Sequence, residues 1–181
     1  AIIRINHNPL KQLENNQPPI RIGFTGAGSM GQGIAWQIKI TPGMKLEFVT
    51  DIDIEAARKA VIQTGLQAVE AMGDEIPKLA EGQVLISTDT LGVLQSDMAT
   101  GLDAFVEATN SIGDAGEYCL AAIDAGMHVI LMNAEVDLLF GPMFQKVARK
   151  HDVIVTSDAG DQHGVIMTML REIEMWGFDI V

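Results

Sequence analysis

Cysteine occurs once in this chain, as Cys119, so no disulfide can form within it. A lone thiol fits a reducing compartment, and its setting in the helical pattern EYCLAAI marks it as a packing residue. Basic residues are also scarce: 12 Lys and Arg stand against 24 Asp and Glu, a net charge of -12. Such a chain repels phosphate backbones, which excludes nucleic acid and anionic membranes as partners. Long apolar runs are missing, since no stretch approaches the roughly 20 residues needed to cross a bilayer. The opening IRINHNPLK is not a signal peptide. There is no G-x-S-x-G elbow, no G-x-x-x-x-G-K-[ST] loop and no C-x-x-C pair, so hydrolase and P-loop readings lose their main support. Internal repeats and low-complexity tracts are absent too. What is present is ordinary globular material, 181 residues at 48% hydrophobic, enough for one domain with a real core. The expectation is a soluble, acidic, cytoplasmic protein.

Residues 1–19 end in NNQPP and read as a lead-in arm, because asparagine and proline disfavour regular structure there. From residue 20 short β-type runs alternate with helix-type patterns. The runs are 20–25 (IRIGFT), 45–50 (KLEFVT), 84–88 (VLIST), 104–109 (AFVEAT), 128–133 (HVILMN) and 153–158 (VIVTSD), and FDIV begins a seventh. Between them, Met30, Ile34 and Ile38 share a helix face that Thr41-Pro42-Gly43 stops. Asp53 can cap a helix with Ile54, Ala57, Val61 and Leu66 on one face, ended by Gly73 or Pro77. Residues 89–102 read as loop or short helix. Asp114 and Glu117 have the spacing of a capping box for a helix that Gly126 closes, and Pro142 is expected near the first turn of a helix running to about Lys150. The stretch DQHGVIMTMLREIEMW reads as the last helix, with Gly177 as its stop. Strands alternating with helices predict an α/β fold, a doubly wound parallel sheet of Rossmann type over 20–181.

The stretch RIGFTGAGSMGQG places Gly26, Gly28 and Gly31 in a G-x-G-x-x-G frame with a strand before and a helix after. Gly26 permits the tight turn, Gly28 lets backbone approach a pyrophosphate, and Gly31 lets helix pack on strand. Ala27, Ser29 and Met30 complete the loop, and the helix N-terminus offers free N–H groups to phosphates. Asp51 ends the second strand 20 residues after Gly31 (51 − 31), where a carboxylate accepts hydrogen bonds from the adenosine ribose. It repels a 2′-phosphate, so NAD is favoured over NADP, although Arg58 on the next helix would soften that preference if it turned inward. A solvated loop residue, with Asp53 as the real cap, is the bland reading of Asp51.

Ligands in such sheets sit at the carboxyl ends of the strands. Thr109 and Asn110 at the fourth strand can contact the nicotinamide-side ribose, and Asn133 at the fifth adds a further cofactor contact. Glu135 and Asp137 are catalytic candidates or plain helix caps. Glu135, Asp158 and Asp161 would hold Mg²⁺ or Mn²⁺ if they converged, although no spacing rule supports a metal. Asp161 is a candidate catalytic group or an N-cap, and His163, one turn into a helix, a candidate proton carrier. His7, His128 and His151 show no motif.

PPIRIGFTGAGSMGQGIAWQI with the following PGM, EATNSIGDAGEYCLAAIDAGMHVILMNAEVDLLFGP, and SDAGDQHG together resemble the homoserine-dehydrogenase-like oxidoreductases whose longer members carry a C-terminal SAF domain. The likeness covers about residues 18–181. It implies an NAD(P) cofactor and hydride transfer to or from a small polar substrate, and one branch of that family is 1-deoxy-D-xylulose 5-phosphate reductoisomerase-like. Two departures stand out. Homoserine dehydrogenases carry a lysine just after the fifth strand, where this chain has Met132-Asn133-Ala134-Glu135. The family's Rossmann half is also followed by a segment that completes the substrate pocket and usually the dimer. The expectation is therefore a truncated cofactor-binding portion, inactive alone, with homo-oligomer formation open. A nucleotide-sensing or regulatory Rossmann module without catalysis is the alternative.

Overall fold

The computed structural model describes residues 18–71, 75–157 and 162–178. Seven strands form one sheet in the order β3-β4-β2-β1-β5-β6-β7, and every pairing is parallel. They are β1 (Ile20–Thr25), β2 (Met44–Thr50), β3 (Gln67–Glu70), β4 (Gln83–Ser87), β5 (Ala104–Glu107), β6 (His128–Leu131) and β7 (Val155–Ser157). The helices are α1 (Ser29–Ile40), α2 (Ile54–Ile62), the short α3 (Thr90–Leu94), α4 (Ile112–Asp124), α5 (Ala134–His151) and α6 (Gln162–Met175). With β3 set aside, the order is the 3-2-1-4-5-6 of doubly wound dinucleotide-binding sheets. The predicted fold class is observed.

Two buried clusters cover the two faces. Phe24, Ala35, Ile38, Val49, Ala57, Val61 and Ile86 join β1, β2 and β4 to α1 and α2. Phe105, Cys119, Ile123, Val129, Val136 and Phe144 join β5 and β6 to α4 and α5. Each fully buried large side chain contributes about 1.5–3 kcal/mol, so the two layers hold the strand ends rigidly. At the amino ends of the strands, buried Glu47 is paired with Arg21 Nε at 2.8 Å and Lys45 Nζ at 2.9 Å.

Four expectations change. The helix begun by Asp53 stops at Ile62, because Gly65 takes a left-handed turn (φ 79°) that sends the chain into an edge strand, β3. Leu66 is thus outside the helix. The helix α4 starts at Ile112 with Ser111 as its N-cap residue, so Asp114 is its third residue and accepts from Ser111 Oγ at 2.8 Å. Pro142 lies inside α5, whose first turn starts eight residues earlier at Ala134. The bond it forfeits would go to Leu138, a residue 87% exposed, where water can serve the carbonyl. Phe178 is not in a strand, and the rest of FDIV lies outside the described residues.

Candidate functional site

The carboxyl ends of β1, β2, β4 and β5 open into a cleft of about 530 Å³. Its floor is the glycine turn. Gly26 has φ 92°, and a side chain there would strike the Ala108 carbonyl and come within 2.7 Å of the Thr109 nitrogen. Glycine therefore lets the β1 exit run against the β5 exit. A Cβ on Gly31 would collide with the Gly26 carbonyl oxygen, so the third glycine seats α1 on the turn. Gly28 differs from both: a Cβ there would meet nothing within 4 Å. Its missing side chain leaves open space directly before the first turn of α1. That turn has no side-chain cap and no acidic residue. Its leading N–H groups are left for a ligand, with the positive end of the helix dipole behind them.

Asp51 stands at the end of β2 on one rim. Its Oδ2 accepts from Ala27 N–H at 2.5 Å and its Oδ1 from Asp53 N–H at 2.9 Å. It is thus part of the glycine turn and lines the cleft, while Asp53 caps α2 by accepting from Glu55 N–H. Arg58 is turned away. It pairs with Glu55 at 3.2 Å and with Glu70 on β3, which lies level with Val49, two residues short of Asp51. Both carboxylates hold its pKa above the ordinary arginine value.

The other rim is the β5 exit. Thr109 and Asn110 line the cleft, followed by Ser111, Asp114 and Tyr118 along α4. Those three fall at i, i+3 and i+7, one helix face, a spacing already present in the sequence. Tyr118 lies beside Thr90; burial, and then the nearby Asp114 carboxylate, raises its pKa. Thr90 in turn ties to Thr25 at 3.1 Å and Thr50 at 2.9 Å, a buried hydroxyl cluster that locks three element ends under the cleft.

The predicted residues divide accordingly. Gly26, Gly28, Ser29, Met30, Gly31, Asp51, Thr109 and Asn110 come together on the cleft wall. Ala27 is buried behind it. Asn133 also sits behind the wall: its Oδ1 accepts from Val136 N–H as the N-cap of α5, and its Nδ2 donates to the Thr109 carbonyl at 3.0 Å. With its amide so committed, it braces the β5 exit and does not line the cleft. Glu135 is exposed in the first turn of α5, away from the lining residues. Asp158 and Asp161 lie outside the described residues, and of His163 only its place in α6 is described. Among the described residues no group of three His, Cys, Asp or Glu is placed to hold a metal. His128 has a structural partner, its Nδ1 accepting from Ile154 N–H at 3.0 Å. Among the described residues no helix is long and apolar enough to cross a membrane.

Glu107, the last residue of β5, belongs to no sequence motif. It is wholly buried at the end of β5; its Oε1 accepts from both the backbone N–H (2.8 Å) and the hydroxyl of Thr109, and its Oε2 has no partner among the described residues. Burial pushes its pKa above the usual carboxylate range, against the pull of the two Thr109 bonds. A second cleft, about 750 Å³, opens at the other end of the sheet around Arg21, Lys45 and Glu47, whose charges already satisfy one another.

No family model and no curated protein matches the chain. Solved structures do. Apo scyllo-inositol dehydrogenase from Lactobacillus casei aligns with a TM-score of 0.63 at 18% identity, over 90% of this chain and 43% of that one. GenD2 from gentamicin A biosynthesis, in complex with NAD, aligns at 0.59 and 17% identity, over 78% of this chain and 34% of that one. Biliverdin reductase from Synechocystis, in complex with biliverdin and NADP+, aligns at 0.54 and 19%, over 77% and 38%. The chain spans less than half the length of each. At these identities the likeness is one of fold: the chain is built like the Rossmann domains of NAD(P)-dependent oxidoreductases.

Proposed function

We propose that this chain is the cofactor-binding portion of an NAD(P)-dependent oxidoreductase that moves hydride between nicotinamide and a carbonyl or hydroxyl carbon of a small polar substrate. The observation that carries the reading is the open space at Gly28, between an uncapped helix N-terminus and the Asp51 carboxylate. It is a gap shaped for a charged backbone-hugging group at the point where the sheet's strand order reverses. Similar folds crystallised with NAD or NADP+ support it.

The bound nicotinamide would supply the hydride; the protein's share is positioning. The N–H groups around Gly28, Ser29 and Met30 hold the diphosphate. Asp51 accepts from the adenosine ribose, and Thr109 and Asn110 hold the other ribose, braced by Asn133. NAD is preferred to NADP, because the Asp51 carboxylate repels a 2′-phosphate and the Arg58 guanidinium is engaged with Glu55 and Glu70. Proton transfer falls to the residues that follow β6 and β7 in the chain, with Glu135, Asp161 and His163 as the candidates. Of the two finer activities, homoserine oxidation lacks the lysine after β6, since Asn133 and Glu135 stand there. A reductoisomerase-like reaction would draw a divalent metal to Glu135, Asp158 and Asp161. The missing lysine also favours the second reading, a nucleotide sensor without chemistry of its own. Turnover of any hydroxy acid or sugar phosphate by the chain or a longer form of it would dismiss that reading.

The test is a fluorescence titration with NADH and then NADPH, beside the Asp51→Ala variant. NADH is expected to saturate at micromolar levels, with the substitution weakening it or shifting preference to NADPH. A folded chain that binds neither nucleotide refutes the proposal.

A further inference from the structure

The buried carboxylate of Glu107 has no place in the reading so far. It does not line the cleft and, among the described residues, it has no charge partner and leaves one oxygen without a hydrogen bond. A group so placed is expensive to bury, so its local effect is informative. Its Oε1 takes both donors of Thr109, the backbone N–H at 2.8 Å and the hydroxyl proton, for which the Ser111 carbonyl at 3.4 Å is only a distant second acceptor. Thr109 can then offer the cleft only lone pairs. One of these receives a long bond from Ser111 N–H at 3.3 Å, and the other is free for a ligand. From above, the Asn133 amide fixes the Thr109 carbonyl and so the whole turn.

We infer that Glu107 is a positioning residue that makes Thr109 an acceptor, so that this rim selects a hydrogen-bond donor, a ribose hydroxyl or a carboxamide N–H₂, over an anionic oxygen. The two rims then divide the ligand by chemistry. Helix α1 and the glycine turn supply donors for the phosphates in the middle. Asp51 and the Thr109 oxygen supply acceptors for hydroxyls on either side, since β2 and β5 flank β1. The inference rests on the dinucleotide reading, and the experiment separates the two.

ADP lacks the ribose and nicotinamide that would lie at Thr109, whereas NADH has both. Glu107→Leu removes the acceptor and frees the Thr109 hydroxyl to donate. It is expected to lower NADH affinity about tenfold with ADP affinity unchanged. Glu107→Gln keeps a carbonyl oxygen for both Thr109 donors and is expected to retain NADH binding. Thr109→Val, which leaves Glu107 in place, should reproduce the loss, and Thr109→Ser should restore binding, so the answer survives if Glu107→Leu fails to fold. If wild type binds ADP but Thr109→Val or Glu107→Leu leaves NADH unchanged, or weakens NADH and ADP alike, the inference is overturned. If wild type binds neither nucleotide, the underlying dinucleotide reading falls instead.

Discussion

Substituting alanine at Gly28 and, separately, at Gly31 distinguishes a ligand-binding glycine turn from a purely architectural one. Gly28 has φ -62° and ψ -165°, extended backbone at the margin of the region open to alanine, and its added methyl would meet no atom within 4 Å. Its cost to folding should be near zero, and restricting the unfolded chain can stabilise by about 0.4–1 kcal/mol. At 181 residues each kcal/mol moves Tm by roughly 2–4 °C, so Gly28→Ala should melt at or slightly above wild type. The same methyl occupies the space assigned to the diphosphate. Losing one close backbone contact to a charged group costs about 1.5–3 kcal/mol, which is roughly 10- to 150-fold in NADH affinity. Gly31→Ala is the opposite case. Its methyl would collide with the Gly26 carbonyl oxygen and lie 3.2 Å from the Phe24 ring, so backbone has to move. Overpacking of that kind costs about 1–3 kcal/mol, a fall of roughly 2–12 °C. Differential scanning fluorimetry with and without NADH reads both quantities. If Gly28→Ala binds NADH like wild type, or destabilises as much as Gly31→Ala, the reasoning fails.

Three further outcomes follow from buried groups. Because the folded-state pKa of Glu107 is raised, the folded chain holds that proton longer than the unfolded one, and stability is lost as pH rises from the ordinary carboxylate range through the folded value. The Tm of Glu107→Gln should therefore gain on wild type as pH rises from 4.5; a constant difference would show that the carboxyl is not perturbed. Asn133→Asp should keep the N-cap of α5, worth about 0.5–2 kcal/mol, but lose the Nδ2 bond to Thr109. NADH affinity should then fall more than Tm, whereas Asn133→Ala should lower both. Cys119 is fully buried, and that burial, with the Glu107 carboxylate nearby, raises its pKa far above the ordinary thiol value. A thiol reagent should label it only at the rate of unfolding, and fast labelling of the native chain would contradict that placement.

The main frame was legible because its strands are apolar runs between turn residues and the glycine frame has strand and helix on the required sides. Edge strand β3 was not. Gln67–Glu70 is paired on one side only and buries no residue fully, so its sequence carries neither an apolar run nor a clear alternation, and it reads as the tail of α2. Pro142 misled through position: a proline inside a long helix looks like a start signal until the exposure of Leu138 is known. Glu107 escaped because a buried carboxylate and a solvated one are the same letter. What separates them is the Thr109 turn folding back on it, a relation two residues long that no periodicity reports. Asn133 was placed at the cleft by its strand-end position, and the structure shows its amide spent on the neighbouring backbone.

Strand β1 joins the two halves of the sheet, and this has a consequence for how the chain acquires its shape in time. Its partner on one side, β2, is nearby in sequence, whereas on the other side β5 is held from 82 residues away, as in the Arg21–Asp103 contact. Closing that larger loop costs about 1 kcal/mol more entropy than closing the β1–β2 loop, and non-local closures of this kind slow folding. The cleft lies across this seam, with Asp51 on the early side and Thr109 on the far one. During synthesis neither layer is complete before β5 emerges, since Ala104 and Val106 pack into one and Phe105 into the other, and a nucleotide held as proposed could not be gripped from both sides until then. Capture of the proposed ligand would therefore be a readout of completed assembly, not of the glycine turn alone.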